Sequence, residues 1–168
     1  MKKFKMLFVF TALFILLALL ILPAGAADDC SFTVVDTTMT LNGNCTTDAT
    51  IYVPDGFTLD GASYSITAVD PPSGHFVGAV VANAGATAHV NNLTVTTSNL
   101  ANVCDGGANR LRGIMFEGAS GSISHNTVVN INQGLSGCQE GNGIEIRNAP
   151  FDGTHPNTQS VEVTHNHV

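Results

Sequence analysis

The 168-residue sequence predicts an all-β solenoid, a parallel β-helix, on three observations. Short segments with period-2 alternation recur along the chain, bounded by Gly, Asn, Asp and Ser. Equivalent residues return in step within those segments, which is the signature of a repeat architecture. No stretch after residue 27 shows sustained helical periodicity.

The first element is a leader over residues 1–27. Lys2, Lys3 and Lys5 precede an apolar run from Met6 to Leu22, and Pro23-Ala24-Gly25-Ala26-Ala27 closes it. A basic start, an apolar core and a small-residue end are those of a secretory signal peptide, cleaved near Asp28. The other reading of the run is an uncleaved anchor, since its length approaches a membrane span. With the signal removed no membrane span remains, and the expected location is secreted or cell-surface.

Charge follows from that cut. The chain beyond residue 27 has no lysine; Arg110, Arg112 and Arg147 face 13 carboxylates, a formal charge of −10. Nucleic acid is excluded as a partner, because phosphate neutralisation by Lys and Arg supplies most of such affinity. The 44% hydrophobic fraction is too high for a disordered chain. Four cysteines in an exported protein indicate disulfides rather than a zinc site, and no C-x-x-C or finger spacing occurs.

Residues 28–50 read as an N-terminal β cap. Phe32/Val34 and Met39/Leu41 alternate around the turn residues Asn42-Gly43-Asn44. Solenoid ends need such a covering, because a bare terminal coil exposes apolar residues and unpaired amides.

Residues 51–168 read as the rungs. Ile51-Tyr52-Val53, Gly78-Ala79-Val80-Val81, Gly113-Ile114-Met115-Phe116 and Gly143-Ile144-Glu145-Ile146 form one series of strands. A second strand follows each, starting at Leu59, Val90, Ile123 and Val163. Its last two members are closely alike, Ile123-Ser124-His125-Asn126-Thr127-Val128 and Val163-Thr164-His165-Asn166-His167-Val168. Identical strands recurring in order without helices stack as a coil, each rung pairing with the next at about 4.8 Å. A sandwich would not require equivalent residues to recur in step. Val168 matches Val128, where the preceding unit runs on, so further rungs and a truncated C-terminal end are expected.

These segments, opening with Ile51-Tyr52-Val53-Pro54-Asp55-Gly56-Phe57-Thr58-Leu59-Asp60-Gly61, resemble the right-handed parallel β-helix proteins of the pectate-lyase-like superfamily over roughly residues 50–168. The resemblance implies a right-handed coil; the strict six-residue period of the left-handed form is absent. It also implies an asparagine ladder at an interior corner, formed here by Asn126 and Asn166, with Leu93 in that place one rung earlier. Its activities range from polysaccharide lyases and glycoside hydrolases to adhesins and noncatalytic surface proteins.

Alternation from Gly113 and Gly143 turns Ile114, Phe116, Ile144 and Ile146 inward, and Met115, Glu117, Glu145 and Arg147 outward. Glu117 and Arg147 then stand on adjacent rungs, as a surface ion pair or a sugar-binding pair. His125 and His165 align likewise, as a solvent-facing ladder or a candidate surface-binding pair, with His167 nearby. The family's lyases hold Ca²⁺ on clustered carboxylates. Here Asp105, Glu140 and Asp152 are scattered in loops, and Arg110 and Arg112 read as loop residues too. No cofactor is therefore expected, calcium being the one ion considered. No residue is assigned a catalytic role.

The leading functional expectation is a noncatalytic extracellular scaffold that binds carbohydrate or a cell-surface ligand. The alternatives are a polysaccharide lyase or hydrolase with its catalytic rungs beyond Val168, and an adhesive or structural solenoid.

The repeat also orders the cysteines. Cys104 follows Val95, and Cys138 follows Val128, by nearly the same interval, and these valines are equivalent. The two cysteines leave one corner on neighbouring rungs, within reach of the Cα separation of a disulfide, about 5.5 Å. Cys30 and Cys45 then close the cap. Nonreducing peptide mapping is expected to return Cys30–Cys45 and Cys104–Cys138. A Cys30–Cys104 or Cys45–Cys138 peptide would refute the rung alignment itself.

Overall fold

The computed structural model describes residues 28–133, 141–148 and 159–168. Its strands stack into three sheets. Sheet A contains β1 (Phe32–Val35), β2 (Thr38–Leu41), β5 (Phe57–Asp60), β8 (Thr87–Asn91), β11 (Ser120–Ser124) and β14 (Val161–Thr164), in that spatial order. Sheet B stacks β3 (Cys45–Thr47), β6 (Ser65–Ala68), β9 (Thr94–Thr97) and β12 (Thr127–Val128). Sheet C stacks β4 (Ile51–Val53), β7 (Ala79–Asn83), β10 (Arg112–Glu117) and β13 (Asn142–Arg147). The chain visits A, B and C in turn and pairs in parallel with the previous coil: a right-handed parallel β-helix. Among the described residues no helix is long and apolar enough to cross a membrane.

The register shows why equivalent residues recur. Leu59, Val90, Ile123 and Val163 are successive partners in sheet A. Ile66, Val95 and Val128 form the matching column in sheet B, and Ile51, Val81, Ile114 and Ile144 the one in sheet C. Most of these side chains are buried, and together they form the core. Each fully buried aliphatic side chain contributes about 1.5–3 kcal/mol, so the columns together supply a large share of the solenoid's cohesion. At the last described coil the columns lose cover: Ile146 and Val163 are 38% and 46% exposed.

Three features differ from the expectation. A coil has three strands, not two, because sheet B adds a short strand after β2, β5, β8 and β11. The coil also begins inside the segment read as a cap: β2 pairs in parallel with β5, and β3 with β6. The covering proper is β1, which runs antiparallel to β2, with Asp29 accepting from the Thr46 N–H beside it. Finally, Gly78 is not equivalent to Gly113, since Ala79 pairs with Arg112 and Val81 with Ile114. The slip is two residues, and an even slip preserves which side chains face inward.

Gly113 and Gly143 recur for a packing reason. A Cβ on Gly113 would overlap Val128, and one on Gly143 would overlap Val168, so the sheet B valine occupies the space a side chain would need.

In the three later coils the tight turn from sheet A towards sheet B uses one left-handed residue. Asn92, His125 and His165 have φ of 52°, 57° and 56°, a conformation that Asn and His adopt more readily than most residues. The following residue turns inward. Asn126 is 1% exposed; its Oδ1 accepts from Leu93 N–H at 3.1 Å and its Nδ2 donates to Val90 O at 3.1 Å. Asn166 continues the ladder, its Oδ1 accepting from the Asn126 backbone and its Nδ2 donating to Ile123 O.

Cys30–Cys45 is a disulfide, with a Cα separation of 5.0 Å, tying the covering segment to β3. Cys104 is disulfide-bonded as well; Cys138, its expected partner, lies outside the described residues.

Asn126→Leu places in this coil the residue found one coil earlier, without the amide. It leaves the Leu93 N–H without its acceptor, at a cost of about 1–3 kcal/mol when buried. The urea midpoint is expected to fall accordingly; an unchanged midpoint would remove the ladder's structural role.

Candidate functional site

The segments 69–78 and 98–111, which lead from sheet B to sheet C, are long, and residues of both wall the outer face of sheet C. That face forms the floor of a groove of about 560 Å³. Tyr52, Ala82, Met115, Glu117 and Arg147 supply the floor, one coil after another, because they hold the outward positions of β4, β7, β10 and β13. His75, Val77 and Asn109 stand on the loop walls, and Asp48 at one end. Tyr52 is 61% exposed, an aromatic ring left open to the groove.

Glu117 and Arg147 are register partners on adjacent coils. Arg147 Nη2 donates to Glu117 Oε2 at 2.8 Å, and Nη1 lies 3.8 Å from Glu145 Oε1. The guanidinium is thus shared between two carboxylates. Glu145 in turn accepts from Arg112 Nε at 2.7 Å and from Asn142 Nδ2 at 2.6 Å. Desolvation pushes the Glu145 carboxyl up, but those two hydrogen bonds and the charges of Arg112 and Arg147 outweigh it. The carboxyl is held below its ordinary value.

Arg112 is not a loop residue. It opens β10 and is only 3% exposed. Its Nη1 donates to Arg110 O and its Nη2 to Gly107 O, so this buried cation shapes the wall containing Asn109. Sequence reasoning missed this role; the available signal was an arginine at a strand start in a chain with only three arginines.

The loop walls are tied across coils. Asp70 accepts from Phe76 N–H at 2.9 Å and from Ala101 N–H at 2.7 Å. His75 Nε2 meets Asp105 Oδ2 at 2.9 Å, and Gln133 Nε2 donates to the same oxygen at 2.8 Å. Asp105 therefore backs the wall residue His75 rather than standing alone in its loop. Glu140 and Asp152 lie outside the described residues.

His125 and His165 stack with ring centroids 4.8 Å apart and planes within 4°. They sit exposed on the corner between sheets A and B, and neither lines the sheet C groove. His167 is bridged to Thr127 beside them. The structure thus brings Glu117 and Arg147 into the groove and leaves the histidine ladder outside it.

Among the described residues no group of carboxylates offers the six to eight oxygen ligands that calcium takes. Among the described residues the one group with ligand spacing is Asp29, Cys30 and Cys45. Both sulfurs there are oxidised in the disulfide, and Asp29 is engaged by Thr46.

Fold and groove together define the chain as a β-helix with a walled groove on one sheet. No family model, curated protein or solved structure matches it.

The depressed Glu145 sets a pH dependence. A carboxyl with a lowered folded-state pKa stabilises the fold above its unfolded value, and that contribution is lost as pH falls through the folded one. The stability gap between wild type and Glu145→Gln is therefore expected to be full at neutral pH and to shrink below about 4.5. Urea titrations at stepped pH measure it; a gap that stays constant through acid would refute the assignment.

Proposed function

We propose that this protein is an exported, pectate-lyase-like β-helix that binds carbohydrate in the groove over sheet C. Residues 1–27 act as its secretory signal and residues 28–50 bear its N-terminal covering. Residues 51–168 carry the remaining rungs, and the chain works at the cell surface or beyond. The disulfides fit an oxidising compartment.

The exposed Tyr52 ring on the groove floor carries the reading. An aromatic face presents an apolar platform with a polar tip, which suits the C–H face of a sugar ring. Around it the groove offers hydrogen-bonding groups on Glu117, Arg147, Asn109 and His75. Such a concave surface with a few convergent polar groups is the usual form of a ligand site.

Charge narrows the ligand. Arg147 is already shared by Glu117 and Glu145, and Asp48 adds another carboxylate. A polyuronate would bring negative charge to a groove without spare cations, so an uncharged glycan is the better fit. That also weighs against a lyase, whose proton abstraction beside a uronate carboxylate needs positive charge to stabilise it.

Tyr52→Ala is expected to weaken binding to neutral xylan or glucan oligosaccharides by about tenfold, equivalent to about 1.4 kcal/mol. Calorimetry with wild type and variant measures this. Equal affinity in both, or binding confined to polygalacturonate, would reject the groove as the proposed site.

A further inference from the structure

We propose that His75 is a general base in this groove and that it hydrolyses O-acyl ester substituents on the bound glycan. The inference rests on the carbohydrate reading but goes beyond binding.

Asp105 Oδ2 lies 2.9 Å from His75 Nε2. A carboxylate only accepts hydrogen bonds, so Nε2 bears the proton and a neutral ring keeps its lone pair on Nδ1. Among the described residues Nδ1 has no hydrogen-bond partner, and the ring lines the groove. Asp105 is itself held by Gln133, and its side chain is 11% exposed against 28% for His75. This is a base oriented by a fixed, largely buried carboxylate, the logic by which imidazoles are set for proton transfer. Asp105 and Gln133 are positioning residues.

The other groups select the reaction. Cleavage of a glycosidic bond needs a protonated carboxyl to reach the leaving oxygen, whereas Glu117 is ion-paired with Arg147. An ester needs less. Water attacks the acyl carbon while Nδ1 takes its proton; the new C–O bond forms and the carbonyl electron pair moves onto oxygen. On collapse the bond from acyl carbon to sugar oxygen breaks, and the proton on Nδ1 passes to that oxygen. The products are a carboxylic acid and a free sugar hydroxyl. The Asn109 amide, on the next coil's loop lining the same groove and without a side-chain partner among the described residues, supplies a donor for the carbonyl oxygen.

The test uses the full chain with acetylated xylan, measuring acetate release and, separately, binding. Wild type is expected to release acetate with a rate that rises as an imidazole loses its proton. His75→Gln is expected to lower release about 100-fold or more, in the range of general-base effects. It should also abolish that rise with pH while xylan binding persists. Asp105→Asn, which keeps the ring but not its orientation, should lower release without moving the circular dichroism spectrum. His125→Ala, outside the groove, should match wild type. Binding without acetate release in wild type overturns the hydrolysis and leaves the carbohydrate site standing; release unaffected by His75→Gln also overturns it. Neither binding nor release in wild type sinks both.

Discussion

Backbone hydrogen bonding between successive coils is the constraint on which the rest of the molecule depends. Each parallel strand must match the one before it, so a side chain's position in one coil dictates its neighbours in the next. Leu59, Val90 and Ile123 meet for this reason, and so do Glu117 and Arg147. The same rule that stacks a dry core on the inside writes columns of polar groups on the outside. A groove over several coils needs no separate folding event; it is the outer face of a sheet with walls added.

Those walls lie where the stacking rule is weakest. Between sheets B and C the chain leaves the ladder for long excursions, and hydrogen bonds from side chains replace strand pairing there. Asp70 bridges two coils, His75, Asp105 and Gln133 bridge three, and Arg112 gathers the carbonyls of the 107–110 turn. Each tie joins named polar groups at hydrogen-bond distance, so it is geometrically specific as well as cohesive. Rigid walls on a rigid floor are what a site needs to hold a ligand in one pose.

The core columns were legible in the sequence because apolar alternation and strand-to-strand resemblance both report them. The Ile123 and Val163 strands are nearly the same string, and their pairing follows. Sheet B was not legible: β12 has two residues, and β3 and β9 are rich in threonine, so neither an apolar run nor a leading glycine marks them. Gly78 misled because a glycine before an apolar run suggests the same place in every coil, whereas its true equivalent is Leu111. In the groove, Glu117 and Arg147 could be found by counting along strands. The contact of His75 with Asp105 could not, since both sit in loops of different length 30 residues apart, beyond the reach of any period. Tyr52 was visible only as one beat of an alternation, and its exposure depends on walls that the repeat does not describe.

The antiparallel β1 has a consequence for how such a coil begins. A parallel solenoid presents the same template at every level, and an uncovered first level would invite other extended chains to add to it. β1 reverses direction on that edge and is latched by Cys30–Cys45, so sheet A there meets a strand of the wrong polarity for another coil. The reversal works as a stop sign for sheet A: it gives that sheet a start and a direction, where a parallel edge would offer the same template again.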